Sequence, residues 1–521
     1  MESGIPGGTG FEADTIGPVP ERFSAARAPG IDSGLERDRS YTVSGRKGER
    51  IMSLVLYSEG GAQEVTGTRH FFESDGARIM IDCGAFQGRE KDADARNRSL
   101  SVEPNGLDAV VLTHAHFDHS GLLPLLVKRG YDGPIYATPA TRDLAGLILM
   151  DSAKIQARDA EYARKHRAEG APPAPEPLYD ERDVIRTLDR FISISYGREI
   201  AIAPGVSLRF FDAGHILGSS ITFFRVKTGD GAFATDIAFT GDLGRDNKPI
   251  IRDPARIPDV EYLVLESTYG NRLHEPVEAV MPRLAEVVNE TVSRGGKLVI
   301  PSFAIGRTQE LVFYLHLLRD NRMIPEVPTF VDSPMATNAT AIFRIHPECY
   351  DEETYNAFTV HHRNPFGWAE LRYIESTEDS KRLNSLEGPA IIIATDGMVE
   401  AGRILHHIRH TAADPRNTIL AVGYMAEGTL GRRIVERART VRVFGDEIPL
   451  RARVEEIRAL SGHADYEELH RFAARLDQNR LRTIFLVHGE AEVQREFREF
   501  LLSRGAAEVE IMKRGERFRL T

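Results

Sequence analysis

Apolar positions along the chain follow two rhythms. From about residue 52 to residue 269, short β-type runs end in Gly or Asp turns: "ARIMIDCG", "LDAVVLTH", "GPIYAT", "VSLRFFDAGH", "AFTGD" and "EYLVLES". A polar helical stretch followed by "EGAPPAPEPLYD" interrupts them and reads as an inserted helix and loop. After "ESTYG" the rhythm becomes strand, small-residue turn, helix, four times over: "KLVIPSFAIGRTQELVFYLHLL", "PTFVDSPMATNATAIFRI", "PAIIIATDGMVEAGRILHHI" and "TILAVGYMAEGTLGRRIVERA". Strands alternating with helices predict a parallel, doubly wound sheet, in which ligands lie at the strand C-termini. From about Val454 the β-type runs return, in "RARVEEIRALSGHAD", "RTIFLVHGE" and "AEVEIMKRGERFRL".

This order predicts an α/β protein with one domain inserted into another: 51–270 and 451–521 forming the first, 271–450 the second. Residues 1–48 are rich in Gly, Pro, Ser and Arg, keep neither period, and read as a disordered leader.

Composition narrows the chemistry. With 41% apolar and 27% charged residues the chain has globular composition, and it has neither an apolar run of membrane-spanning length nor a secretory leader. A cytoplasmic protein without membrane association is therefore expected. Cys83 and Cys349 are the only cysteines, too few for a disulfide framework or a thiolate zinc site. Any metal must be held by His and carboxylate. A net charge of -11 excludes a broad basic coat for nucleic acid, though not nucleic acid as a substrate held in a cleft by metals and helix N-termini.

The densest chemistry is "THAHFDHSG", where three histidines and an aspartate fall within six positions directly after an apolar run. Two residues apart on extended backbone, His114 and His116 project to one side and can grip one ion. Asp118 and His119 follow in the turn that opens the next helix, giving a second pair across the bend. Imidazole mixed with carboxylate suits zinc or another divalent first-row metal in a hydrolytic site. Four donors cannot complete two coordination shells, so further ligands are expected on neighbouring strand ends. His215 in "DAGHILGSS", Asp242 in "AFTGDLG" and His488 in "IFLVHGE" occupy such places. Asp82 in "IMIDCGAFQG" is assigned to orient a ligand histidine through its other ring nitrogen.

These motifs resemble the metallo-β-lactamase superfamily, from about Met52 to the C-terminus. The resemblance implies an αββα sandwich in which His114, His116 and His215 hold one zinc, Asp118, His119 and His488 hold a second, and Asp242 bridges the pair. Within it, "LESTYG" with Glu266, "LSGHAD" with His463 and "VHGE" with His488 are similar to the three motifs of the β-CASP nucleases, and the insertion corresponds to the β-CASP domain. "PSFAIGRTQE", "DSPMA", "GRILHH" and "GYMAEGTLGR" resemble the branch containing the 3′-end cleavage nuclease of pre-mRNA processing and its bacterial relatives. Histidine in the third motif is similar to the RNA-acting members. DNA-repair relatives tend to have valine there.

The resemblance therefore implies a two-zinc ribonuclease acting on single-stranded RNA. Two metals would activate water and neutralise the phosphoryl oxygens, Asp118 would orient the nucleophile, and His463, held by Glu266, would protonate the leaving oxygen. Ser302, Arg307, Gly428 and Thr429, in the βα turns, are candidate phosphate contacts.

Two departures stand out. "ATDGM" replaces the relatives' Ser-Ser-Gly-Met and puts Asp396 beside the expected phosphate path, and the KH modules of archaeal relatives have no counterpart. The arginines 432, 433, 437, 439 and 442 read as a solvated helix face, and Trp368 as packing. Endonucleolytic and 5′-3′ exonucleolytic modes, and a homodimer, stay open. The rival readings are a small-molecule hydrolase of thioesterase or lactonase type, a DNA nuclease of the same superfamily, and a scaffold subunit without activity.

Overall fold

A computed structural model describes residues 54–520 except 75, 89, 101, 168–172 and 229–232, so the expected leader lies outside the described residues. Two seven-stranded sheets share one core. The first runs Arg517–Leu520, Leu54–Gly60, Arg69–Ser74, Ala77–Ile81, Ala109–Val111, Ile135–Ala137, Phe191–Ser193 in spatial order. The second runs Val509–Ile511, Thr483–Val487, Tyr262–Glu266, Phe233–Phe239, Ser220–Thr228, Val206–Asp212, Glu199–Ala203. Alternation explains the layering: along Val206–Asp212 every second residue is buried, so one face of the strand turns inward. Leu56, Phe72 and Ile79 of the first sheet meet Leu208, Phe224 and Val264 of the second in a single apolar cluster.

Helices cover the outer faces. Leu123–Lys128, the long Pro139–Lys165 and Glu181–Leu188 pack on the first sheet, while Tyr466–Ala474 and Ala491–Ser503 pack on the second. The layers are thus α, β, β, α. The last segment of the chain completes both sheets, because Arg517–Leu520 pairs with Leu54–Gly60 and Thr483–Val487 lies parallel to Tyr262–Glu266.

Between these halves the chain builds a third sheet of six strands, all paired in parallel: Leu371–Tyr373, Thr329–Asp332, Ala390–Ala394, Lys297–Pro301, Thr418–Ala421 and Arg453–Glu456. Its central strands are buried nearly throughout, which is why they read as continuous apolar runs rather than alternating ones. The four strand-turn-helix units carry the four helices Arg307–Asp320, Pro334–Ile345, Arg403–Thr411 and Leu430–Val435. The two edge strands are short and carry charge, as solvent-facing edges do. The second of them extends this sheet to residue 456. Among the described residues no helix is long and apolar enough to cross a membrane.

Phe224 tests the sandwich core. It is fully buried and meets Phe72 edge-on at 4.9 Å and Phe239 at 5.7 Å between ring centroids. Phe224→Ala should cost about 3–5 kcal/mol. The check is a lowered urea midpoint of the near-UV circular dichroism signal; an unchanged midpoint would contradict this packing.

Candidate metal centre

The histidine motif sits where a strand has just ended. Pairing stops at Val111, so His114 and His116 lie in the following loop and not on a strand as the pattern suggested, and His116 precedes the short helix Phe117–Ser120. Asp82 holds that loop in place of ladder bonds: its Oδ1 accepts from the Thr113 N–H and its Oδ2 from the Thr113 hydroxyl, each at 2.8 Å. The same Oδ2 lies 2.7 Å from His119 Nδ1, which leaves His119 Nε2 facing the centre. Asp82 and His488 both have positive φ, at 61° and 50°. Left-handed backbone at non-glycine residues is costly and collects at functional sites.

Seven side chains converge here. Donor bonds of about 2.0–2.2 Å in a tetrahedral shell put neighbouring donors about 3.3–3.6 Å apart. His116 Nδ1 lies 3.1 Å from His114 Nε2 and 3.2 Å from His215 Nε2, and Asp242 Oδ2 lies 3.5 and 3.6 Å from the same two Nε2 atoms. On the other side, His119 Nε2 is 3.3 Å from His488 Nε2, 3.9 Å from Asp118 Oδ2 and 3.4 Å from Asp242 Oδ1. These separations are close to those between donors of one coordination shell, and Asp242 stands between the two groups.

Asp242 Oδ1 is buried without a hydrogen-bond partner, a loss that a cation would make good. The donors present therefore fit a metal pair. Burial and neighbouring imidazoles hold His114 and His215 well below the ordinary histidine pKa, so each keeps a free lone pair. Burial would raise Asp242, but His488, His119 and His114 hold it well below the usual carboxylate range.

Beside these donors stand a carboxylate and an imidazole in hydrogen-bonding contact. Glu266 is fully buried at the end of Tyr262–Glu266, and its oxygens lie 3.1 and 3.2 Å from His463 Nδ1. Glu266 Oε1 also accepts from the Leu243 N–H at 2.6 Å, which fixes the carboxylate one residue from Asp242. His463 stacks obliquely on His215 at 4.6 Å between ring centroids and its Nδ1 is 3.8 Å from Asp242. Burial lowers its pKa, yet Glu266 and Asp242 outweigh that and bring it to about 9.

Comparison with known proteins agrees with this geometry. Residues 70–278 match the model of the metallo-β-lactamase superfamily, 308–434 that of the Beta-Casp domain, and 447–512 that of the Zn-dependent metallo-hydrolase RNA specificity domain. A ribonuclease of Thermus thermophilus is 38% identical over 460 residues, covering 88% of this chain and 98% of that protein. The chain belongs to the β-CASP group of the metallo-β-lactamase superfamily.

The transcription termination factor FttA of Methanosarcina mazei is 35% identical over 441 residues, 83% of this chain and 66% of that protein, and FttA of Thermococcus kodakarensis is 35% identical over 449 residues. A crystal structure of a protein of unknown function from Enterococcus faecalis superposes with a TM-score of 0.51 at 14% identity, over 90% of this chain and 100% of that one, which speaks for the fold alone. As a β-CASP protein the chain is a metal-dependent hydrolase.

The other sites read from the sequence lie in the inserted sheet's turns. The buried Ser302 donates to the Phe303 carbonyl at 3.2 Å and accepts from Thr308 at 3.0 Å. Arg307 is paired with Glu310 at 2.6 Å. Gly428 has φ 84°, and Thr429 caps Leu430–Val435 by accepting from the Arg432 N–H. Asp396 takes up the Met398 and Glu400 N–H groups at 3.1 Å each, so its charge serves its own turn. Arg432 pairs with Glu436, while Arg433 and Arg437 donate to the Thr440 and Val454 carbonyls. Trp368 packs half-buried, with His316 edge-on at 5.7 Å.

Two residues near the centre escaped the sequence reading. Thr268 Oγ1 lies 3.0 Å from His488 Nδ1, and Lys248 Nζ donates to the His215 carbonyl at 3.2 Å. Thr268 stands two places after Glu266 and was legible by position. Lys248 lies in a polar turn, "GRDNKP", with no pattern to single it out.

Replacing Asp82 by Ala should leave His119 free to rotate and weaken metal binding about 10- to 100-fold. Competition against a chromophoric chelator measures this; equal affinities would show that Asp82 only braces Thr113.

Proposed function

We propose that this β-CASP protein hydrolyses phosphodiester bonds of single-stranded RNA with two zinc ions. His114, His116 and His215 would hold one, Asp118, His119 and His488 the other, and Asp242 both. The observation that carries the reading is the Glu266–His463 pair set against His215 and Asp242, since a proton donor beside a hydrolytic metal pair serves a poor leaving group. When bound, the ions lower the pKa of water and neutralise charge on the phosphoryl oxygens.

The protein side chains do the rest. Asp118 is the more exposed carboxylate of the centre, and its free edge orients the attacking water. His463 gives its proton to the leaving sugar oxygen, while Glu266 keeps the imidazole aligned and charged. A thioester, which releases a thiolate, needs no such proton donor, and neither a thioester nor a lactone needs an inserted sheet. A scaffold subunit would not keep all seven donors within coordinating reach. The match of 447–512 to an RNA specificity domain and the ribonuclease name of the Thermus thermophilus relative support RNA over DNA. We place the inserted domain from about residue 271 through the strand ending at Glu456, and the enzyme in the cytoplasm.

Metal-loaded protein should cut labelled single-stranded RNA, and a chelator should abolish cutting until zinc is restored. His463→Ala should lower kcat about 10²- to 10⁴-fold with little change in metal content. Full activity in that variant would remove His463 from the acid role, and activity without any metal would sink the proposal. Comparing 5′-hydroxyl with 5′-monophosphate RNA separates internal cutting from trimming, and sedimentation tests a homodimer.

A further inference from the structure

Two large aromatic rings stand exposed at the end of the inserted sheet, and packing does not explain them. Phe303 is 46% exposed and Tyr424 47%. Phe303 follows the strand Lys297–Pro301 and Tyr424 follows Thr418–Ala421, and these strands are parallel neighbours, so both rings leave the same end of the sheet. That end faces the metal centre. A Cβ built on Gly306 would come within 3.4 Å of Ile216, the residue after His215, so the turn that carries Phe303 rests on a ligand loop.

Both rings are held. Phe303 lies across the backbone of Gly397, where an added Cβ would meet the ring at 3.1 Å, and any side chain there would push it away. The Tyr424 ring has the Arg272 guanidinium 5.8 Å from its centroid, and the same guanidinium is 5.9 Å from the centroid of Tyr269. Tyr269 in turn meets the proton donor His463 at 5.9 Å between centroids. A continuous row of planar groups therefore runs from His463 through Tyr269 and Arg272 to Tyr424.

We infer that Phe303 and Tyr424, with Arg272 beside Tyr424, form a base-stacking platform that holds nucleobases flanking the scissile phosphate. The inference rests on the ribonuclease reading above. Every base offers a π-face, so stacking binds a strand without reading its sequence, and only unpaired bases offer that face. The platform would thus supply the preference for single strands in a protein whose net charge is -11. The lone tryptophan, the usual candidate for such a role, instead packs half-buried against the core.

The test uses the full zinc-loaded enzyme, steady-state cleavage of a single-stranded RNA, and the same RNA carrying 2-aminopurine near the cut site, followed by rapid mixing before turnover. Tyr424→Ala and Phe303→Ala should each raise KM about 5- to 150-fold and change kcat less. Wild type should quench the 2-aminopurine on binding, Tyr424→Ala should quench it less, and Tyr424→Phe should behave as wild type while Tyr424→Leu does not. If RNA is cleaved but KM and quenching are the same in all variants, the platform is wrong and the ribonuclease reading stands. If Tyr424→Leu matches Tyr424→Phe, the contact is apolar burial and not stacking, which also overturns it. If zinc-loaded wild type leaves the RNA intact, the ribonuclease reading falls and the platform with it.

Discussion

A buried carboxylate with one oxygen lacking a hydrogen bond sets the terms for the whole centre. Asp242 is 2% exposed and five imidazoles surround it: His114 and His215 on one oxygen, His119 and His488 on the other, with His463 within 3.8 Å. An isolated buried charge is costly, and it persists only where opposite charge is supplied. Protons on several crowded imidazoles would repel one another. Divalent metal would satisfy the donors together, which is why the arrangement makes physical sense as a metal site and poor sense as a set of ion pairs.

That demand explains the weave of the chain. The donors come from four separate strand ends or the loops beyond them, and the last, His488, follows the strand Thr483–Val487, which reaches its place only after some 180 residues of inserted sheet. Setting His488 beside Asp118 requires the C-terminal segment to pair with Tyr262–Glu266 and to close the first sheet through Arg517–Leu520. His114, His116, His215 and Asp242 all precede the insertion, so it is the second group of donors, completed by His488, that links metal binding to closure of the sandwich.

The physics of each element decides how legible it is in the sequence. The β-type runs and the parallel insertion were legible because sheet faces impose period 2 and buried parallel strands impose apolar runs, and both marks survive in "VSLRFFD" and "AIIIA", whereas the αββα layering followed only from the family resemblance. The edge strand Arg453–Glu456 was less so, because a solvated edge has little apolar signature and "RVEE" reads as readily as the start of the C-terminal β-type region. At the site, the donors were legible because metal chemistry restricts residue type so sharply. The end of the strand at Val111 was not, since the apolar run continues through Leu112 and only the bonds from Thr113 to Asp82 show that the chain has left the ladder. Lys248 was invisible, and Phe303 and Tyr424 were not singled out within their motifs, for a related reason: each matters through a neighbour far away in the chain.

The inserted sheet then acquires a purpose beyond filling a gap. Its turns do not present free hydroxyls and cations in the way a row of anion sites would, because Ser302, Thr429 and Asp396 are occupied by their own backbone and Arg307 by Glu310. What they present outward is flat, apolar and π-rich. A surface of that kind would discriminate by whether bases are free to stack more than by charge. On the stacking proposal, the sandwich would supply the hydrolytic centre and the insertion would select which polymer is laid across it.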